Sequence, residues 1–197
     1  MGRIKGLKPF AKTFFALIAV FFLSMTLVYC IPTSWIQDNV EKSVEVIDNE
    51  GEYPMYFFYR HSAIIDEHTD KLMYTSLIQN RDYYNPIQAS VSVNQYPRYW
   101  HGYQVILRPL TVILQVQELR FLGMFVFHLL FFWSAWLMAK KLKPAIAMCY
   151  VAAVTSGYIV FLPVCFQFFT TFAVLFGALI VLLTRHEKDS TMNLMLY

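Results

Sequence analysis

Asp66 and Asp70 stand four residues apart, with His68 between them. On a helix that spacing puts both carboxylates on one face, where they can hold a divalent cation that bridges a lipid diphosphate, or act as a general base. Asp38 is a third candidate acid, because it follows the first apolar block by only a few residues. The basic counterpart is Arg98-Tyr99-Trp100-His101-Gly102-Tyr103-Gln104, which runs on into Leu107-Arg108-Pro109-Leu110. Arg98 and Arg108 suit a phosphate, since a guanidinium fork grips it bidentately. Tyr99, Trp100 and Tyr103 can stack on a sugar face, and His101 can move a proton. Each feature also has a plainer reading. Asp66 is a natural helix N-cap and Asp70 a first-turn acid that complements the helix dipole. The aromatics fit an interfacial belt, and the arginines fit snorkelling side chains. Asp38, Glu41, Glu45 and Asp48 also form the solvated stripe of an exposed helix.

The elements that must position these residues follow from composition. Of 197 residues, 57% are hydrophobic and 15% charged, against about 25% charged in soluble domains. The apolar residues gather in blocks, which excludes a soluble globular enzyme, a disordered tail and a disulfide scaffold. The expected class is an all-α integral membrane protein forming a single membrane domain. It would have four spans, at about 13–31, 119–139, 144–162 and 165–184, with Pro163 turning the last two into a hairpin. The first block is too long for a signal-peptide core and ends without a small-x-small cleavage site, so it reads as an uncleaved anchor. Residues 1–12, 140–143 and 185–189 carry 9 of the 16 Lys and Arg, whereas residues 32–120 carry 7 against 11 Asp and Glu. The positive-inside rule then places the N-terminus and the Lys140–Lys143 turn in the cytoplasm, and the loop at about 32–118 outside, in a multi-pass protein of the cell membrane. The net charge of +3 is explained by this sorting, so no nucleic-acid partner is expected. Residues 190–197 resemble the first turn of another span, as in the N-terminal part of a longer protein.

Within the outer loop, Ser34 and Gln37 suggest a capping box for an amphipathic helix over 35–50 with Ile36, Val40, Val44 and Ile47 inward, stopped by Gly51. Asp66 would cap a second helix over 67–79, and an extended Arg108-Pro109 would lead into an amphipathic piece from Leu110 to Gln117. Met55–Tyr59 suits a short strand or an interfacial segment, and residues 87–93 alternate weakly. Inside the membrane His128 is a functional candidate or a neutral side chain bonded to a neighbouring helix, Gly123, Gly157 and Gly177 would allow close helix approach, and the three cysteines read as packing residues. No P-loop, nucleophile elbow, zincin or paired C-x-x-C pattern occurs.

The layout of one span, a large acidic outer loop and a span entered through Arg108-Pro109-Leu110 resembles the N-terminal part of GT-C-type membrane glycosyltransferases. The Arg98–Gln104 and Leu107–Leu110 stretches also resemble an uncharacterised group of polytopic membrane proteins of Gram-positive bacteria. The resemblance implies an outer-face Asp or Glu, here Asp38, Asp66 or Asp70, a polyprenyl-phosphate-linked sugar donor, and in many such enzymes a divalent cation, for which Asp66 and Asp70 are the metal candidates. On this expectation the chain transfers sugar to a cell-envelope acceptor. The alternatives are a non-catalytic scaffold or flippase-like partner in envelope biogenesis, and a transporter.

Overall fold

The computed structural model describes residues 7–55, 64–79, 85–91, 101–157 and 159–185. Arg98, Tyr99, Trp100, most of the Met55–Tyr59 run, and the Ser190–Tyr197 segment lie outside the described residues. The described residues form helices and turns, with one isolated antiparallel bridge between Met55 and Ile64. Eight α-helices follow in order: α1 (Leu7–Tyr29), α2 (Thr33–Glu50), α3 (Glu67–Gln79), α4 (Pro86–Val91), α5 (Gln104–Thr111), α6 (Val116–Lys141), α7 (Pro144–Ser156) and α8 (Phe166–Arg185). Three of them, over Phe10–Tyr29, Val116–Lys141 and Phe166–Arg185, are long and apolar enough to cross a membrane. The chain is therefore built as a helical membrane protein with three such helices, and α7 is a shorter apolar helix. The described chain divides into two compact units, residues 1–49 with 71–116, and residues 50–70 with 117–197.

In the first unit α1 packs on α4 and α5. Only Cys30, Ile31 and Pro32 separate α1 from α2. Proline lacks an N–H and disfavours a helical residue before it, so Pro32 closes one helix as the next begins. α2 starts two residues earlier than its Ser-x-x-Gln pattern suggests, and Gln37 donates to Glu41 (2.8 Å) instead of reaching back to the helix start. Its buried face is Ile36, Val40, Ser43 and Ile47, with Val44 half-buried. Ser43 displaces Val44 because its hydroxyl accepts the Val116 N–H (2.9 Å) that opens α6. One turn before, Asn39 Nδ2 donates to the Thr111 carbonyl (2.9 Å) at the end of α5. Thus α2 meets one backbone acceptor and one backbone donor that helix geometry leaves without partners. Gly51 follows at φ +90°, the left-handed turn that ends α2. The 87–93 segment is helical through Val91 because Asn85 accepts the Ile87 N–H (2.9 Å) and Pro86 takes the first helical position.

Arg108 and Pro109 lie inside α5, which corrects the extended segment expected there. A short helix that starts from the tight turn His101–Tyr103 tolerates the lost Pro109 donor, because the long-range bonds of Arg108 hold it.

In the second unit α6 and α7 form an antiparallel hairpin, pinned by the Ser134–Tyr150 hydroxyl contact (2.8 Å). α8 runs parallel to α6. Phe169 meets Gly123, Phe176 packs on Phe127 and Phe131, and Ile180 and Leu183 pack with Leu137. The Phe127 and Phe176 rings stand 5.1 Å apart at 73°, an edge-to-face pair. Between lipid-facing helices such contacts act through dispersion and shape, since lipid is as apolar as the partner helix. α7 stops at Ser156, earlier than the expected 162, and Gly157 follows. Pro163 sits buried in the tight 3-10 turn Ile159–Val164 that leads to α8. A Cβ on Gly177 would meet nothing within 4 Å, so this glycine is not a close-approach point.

Ser43→Ala should lower stability by about 1–2 kcal/mol, the cost of a lost cap and an unmet buried N–H. Thermal unfolding in a mild detergent measures this, with Glu45→Ala as the neutral exposed control.

Candidate functional site

The candidate residues fall in both units. Asp66 caps α3 as expected. Its Oδ1 accepts the Thr69 N–H (3.2 Å) and its Oδ2 accepts the Thr69 hydroxyl (2.9 Å). Asp70 lies one turn on and is 1% exposed. Its carboxylate accepts the backbone N–H groups of Phe166 (2.7 Å) and Gln167 (3.3 Å), the first two residues of α8. It therefore caps a membrane-length helix from a distant part of the chain. The Asp66 carbonyl accepts from Cys165 Sγ (3.3 Å) and Gln167 Nε2 (3.2 Å), which strengthens the same junction.

Arg120 links two further acids. One terminal nitrogen donates to both Glu50 oxygens (3.0 and 2.8 Å), and the other donates to Glu67 (2.9 Å), which is fully buried. A buried carboxylate needs such a partner. His68 Nδ1 lies 3.3 Å from Glu52 without hydrogen-bond geometry. Burial pushes the Asp70 carboxyl up to about 6, against the lowering effect of the Phe166 and Gln167 N–H groups and Arg120, with Asp66 adding a smaller push upward. Among the described residues no three His, Cys, Asp or Glu side chains gather as a metal site.

In the first unit Arg108 is 1% exposed. It donates to the Leu77 carbonyl in the last turn of α3, to the Ile31 carbonyl just past α1 (2.8 Å), and to the Thr33 hydroxyl (3.2 Å). The guanidinium also lies 4.9 Å over the Tyr29 ring. Helix C-terminal carbonyls carry partial negative charge, so a cation is favoured there. Among the described residues no carboxylate contacts it. Burial works against its charge. A polar chain lies nearby in sequence: His101 Nδ1 to the Tyr103 hydroxyl (3.2 Å), Tyr103 to Ser76, and Gln104 Nε2 to Ser76 (3.3 Å). Burial lowers the His101 pKa and raises that of Tyr103, which favours their neutral forms. Asp38 is exposed and bonded to Lys42 (2.7 Å).

Sequence reasoning did not single out Arg120, Glu50, Glu67, Ser76 or Gln104. Arg120 had one visible signal, a lone cation at the start of a span after an acidic loop. An open cleft of about 370 Å³ adjoins it, lined by Glu50, Gln117, Arg120, Phe121, Met124 and Val164. His128 bonds the Met124 carbonyl of its own helix (2.7 Å), and not the neighbouring helix expected of its plainer reading. Compared with protein-family models, curated proteins and solved structures, the chain gives no match.

Burial holds the Asp70 carboxyl at about 6 against an unfolded value of 3.8, so the fold favours its protonated form. That stability is complete below the unfolded pKa and is lost as pH rises through about 6, roughly 3 kcal/mol in all. Unfolding measured against pH should show this fall in the wild type, and the fall should vanish in Asp70→Asn. Arg108→Lys should cost about 1–3 kcal/mol, because one ammonium cannot reach both the Leu77 and Ile31 carbonyls as the fork does. Asp38→Asn should change stability by less than about 0.5 kcal/mol.

Proposed function

We propose that the chain is a non-catalytic multi-pass membrane protein, a scaffold or partner for other membrane components, and that it crosses the bilayer four times. The observation that carries the first part is the use made of the candidate groups. Asp66 and Asp70 hold helix N-termini, and Arg108 holds the Leu77 carbonyl at the end of α3 and the Ile31 carbonyl just past α1. A transferase needs a carboxylate open to its acceptor and a cation open to a lipid phosphate.

The parallel run of α6 and α8 supports four crossings. Two parallel spans need a return path, and α7 with its 3-10 turn supplies it. Thirteen α-helical residues reach about 20 Å and six 3-10 residues about 12 Å, together close to the ~30 Å hydrocarbon core. On this topology Lys140, Lys141, Lys143 and Arg185 share the cytoplasmic side, and residues 32 to about 118 lie outside. The cell envelope is the setting suggested by the resemblance to Gram-positive membrane proteins. The polyprenyl-phosphate-dependent glycosyltransferase is the competing reading, with Asp38 as its most accessible acid.

Membranes containing the chain should consume no more polyprenyl-phosphate-linked sugar than membranes lacking it. Consumption that disappears in Asp38→Asn, Asp66→Asn or Asp70→Asn would overturn the scaffold reading in favour of the transferase. With Cys30 and Cys149 replaced, an impermeant thiol reagent added outside should label cysteine at position 52 and spare position 141; the reverse pattern would invert the topology.

A further inference from the structure

The end of α1 gives a depth scale for the first unit. The apolar stretch Phe10–Tyr29 has 20 residues, the length that spans a ~30 Å hydrocarbon core. Tyr29 then lies at one boundary of the core, and Thr26, three residues back, lies about 4–5 Å inside it. α4 is held at that depth. It packs on α1, and the Thr26 and Ser90 hydroxyls are 3.4 Å apart. Each hydroxyl donates to a carbonyl of its own helix, Thr26 to Phe22 (2.9 Å) and Ser90 to Ile87 (2.8 Å). Neither therefore needs water, as a place below the boundary requires.

The residues of α4 fit that depth. Asn85-Pro86-Ile87-Gln88-Ala89-Ser90-Val91 carries no charge. Ala89 is buried, whereas Ile87 and Val91 are 52% and 63% exposed. They stand four residues apart and so share one helix face. Gln88 is exposed beside them, and the cost of burying its amide keeps the helix at the boundary rather than deeper in the core. On α1, Leu23 and Leu27 flank Thr26 and are also exposed. The open face of α4 thus continues the lipid-facing surface of the span it packs on.

We propose that α4 is an interfacial helix, seated in the membrane boundary with Ile87 and Val91 on the acyl chains of the leaflet that α1 reaches at Tyr29. Moving the exposed parts of these two side chains from water into lipid favours the seated state by more than about tenfold. A helix of six residues cannot cross the core, and interfacial helices lie along it with their apolar face about 5–10 Å below the surface. Two side chains are too small an area for a second copy of the chain, since a stable interface buries about 800 Å² on each partner. The proposal rests on α1 being a span, and holds for either orientation of the chain and whether or not it is catalytic.

Spin labels on the full chain in phosphatidylcholine vesicles test this, with the exposed Cys30 and Cys149 replaced by serine and the buried Cys165 kept. One label is attached through Val91→Cys. Leu27→Cys is the reference in lipid, and Glu45→Cys, on the exposed side of α2, is the reference in water. Power saturation reads collisions of each label with oxygen, which concentrates in lipid, and with a water-soluble nickel chelate. The label at position 91 should follow that at 27, with chelate accessibility about a tenth of that at 45 or less, the scale of the preference for lipid. Chelate access at 91 equal to that at 45, with 27 still shielded, would overturn the proposal alone. Chelate access at both 27 and 91 would overturn the span of α1 together with it. Shielding of position 91 from oxygen and chelate alike, with dipolar broadening between labels, would overturn it in favour of a second copy.

Discussion

Every helix end leaves about four N–H or C=O groups without partners in its own helix, and near a bilayer water is a poor substitute. This constraint organises the chain more than the packing of its apolar surface does. Asp70 on the start of α8, Arg108 on the end of α3, and Asn39 and Ser43 on the junction of α5 and α6 all answer it. In each case the side chain comes from a remote segment, so the cap is also a tertiary link. Apolar contacts between spans add shape and dispersion but little transfer free energy in lipid, which leaves the polar links to define which helices belong together.

The same constraint explains why these residue types resemble a catalytic constellation. A carboxylate suited to the positive end of a helix has the chemistry of a base, and a guanidinium suited to carbonyls has the chemistry of a phosphate clamp. Burial distinguishes the uses. Asp70 and Arg108 are almost wholly enclosed, and most of their donors and acceptors are backbone groups. Arg120 differs, because its partner Glu50 opens onto a cleft.

What was legible in the sequence was local. The α3 helix begins after Asp66 and α2 ends before Gly51 because a cap and a left-handed turn are written within four residues of the boundary. The three long apolar helices announce themselves by length and composition. What was not legible depends on distant partners. Arg108 sits in a helix despite Pro109 because it bonds residues 31 and 77 positions away. Ser43 replaces Val44 on the buried face because Val116, 73 residues on, needs an acceptor. The end of α7 was not legible, because Gly157 follows it at Ser156 and no periodicity marks the 3-10 turn Ile159–Val164 beyond.

The central claim, that Asp70 is a helix cap rather than a reacting group, can be tested by amide hydrogen exchange of the protein in nanodiscs. In the wild type the Phe166 and Gln167 amides should be protected. In Asp70→Ala they should exchange at least about tenfold faster, as expected for loss of a hydrogen bond to a charged acceptor, while amides around Leu183 stay unchanged. Equal protection at Phe166 and Gln167 in the two proteins would contradict the account.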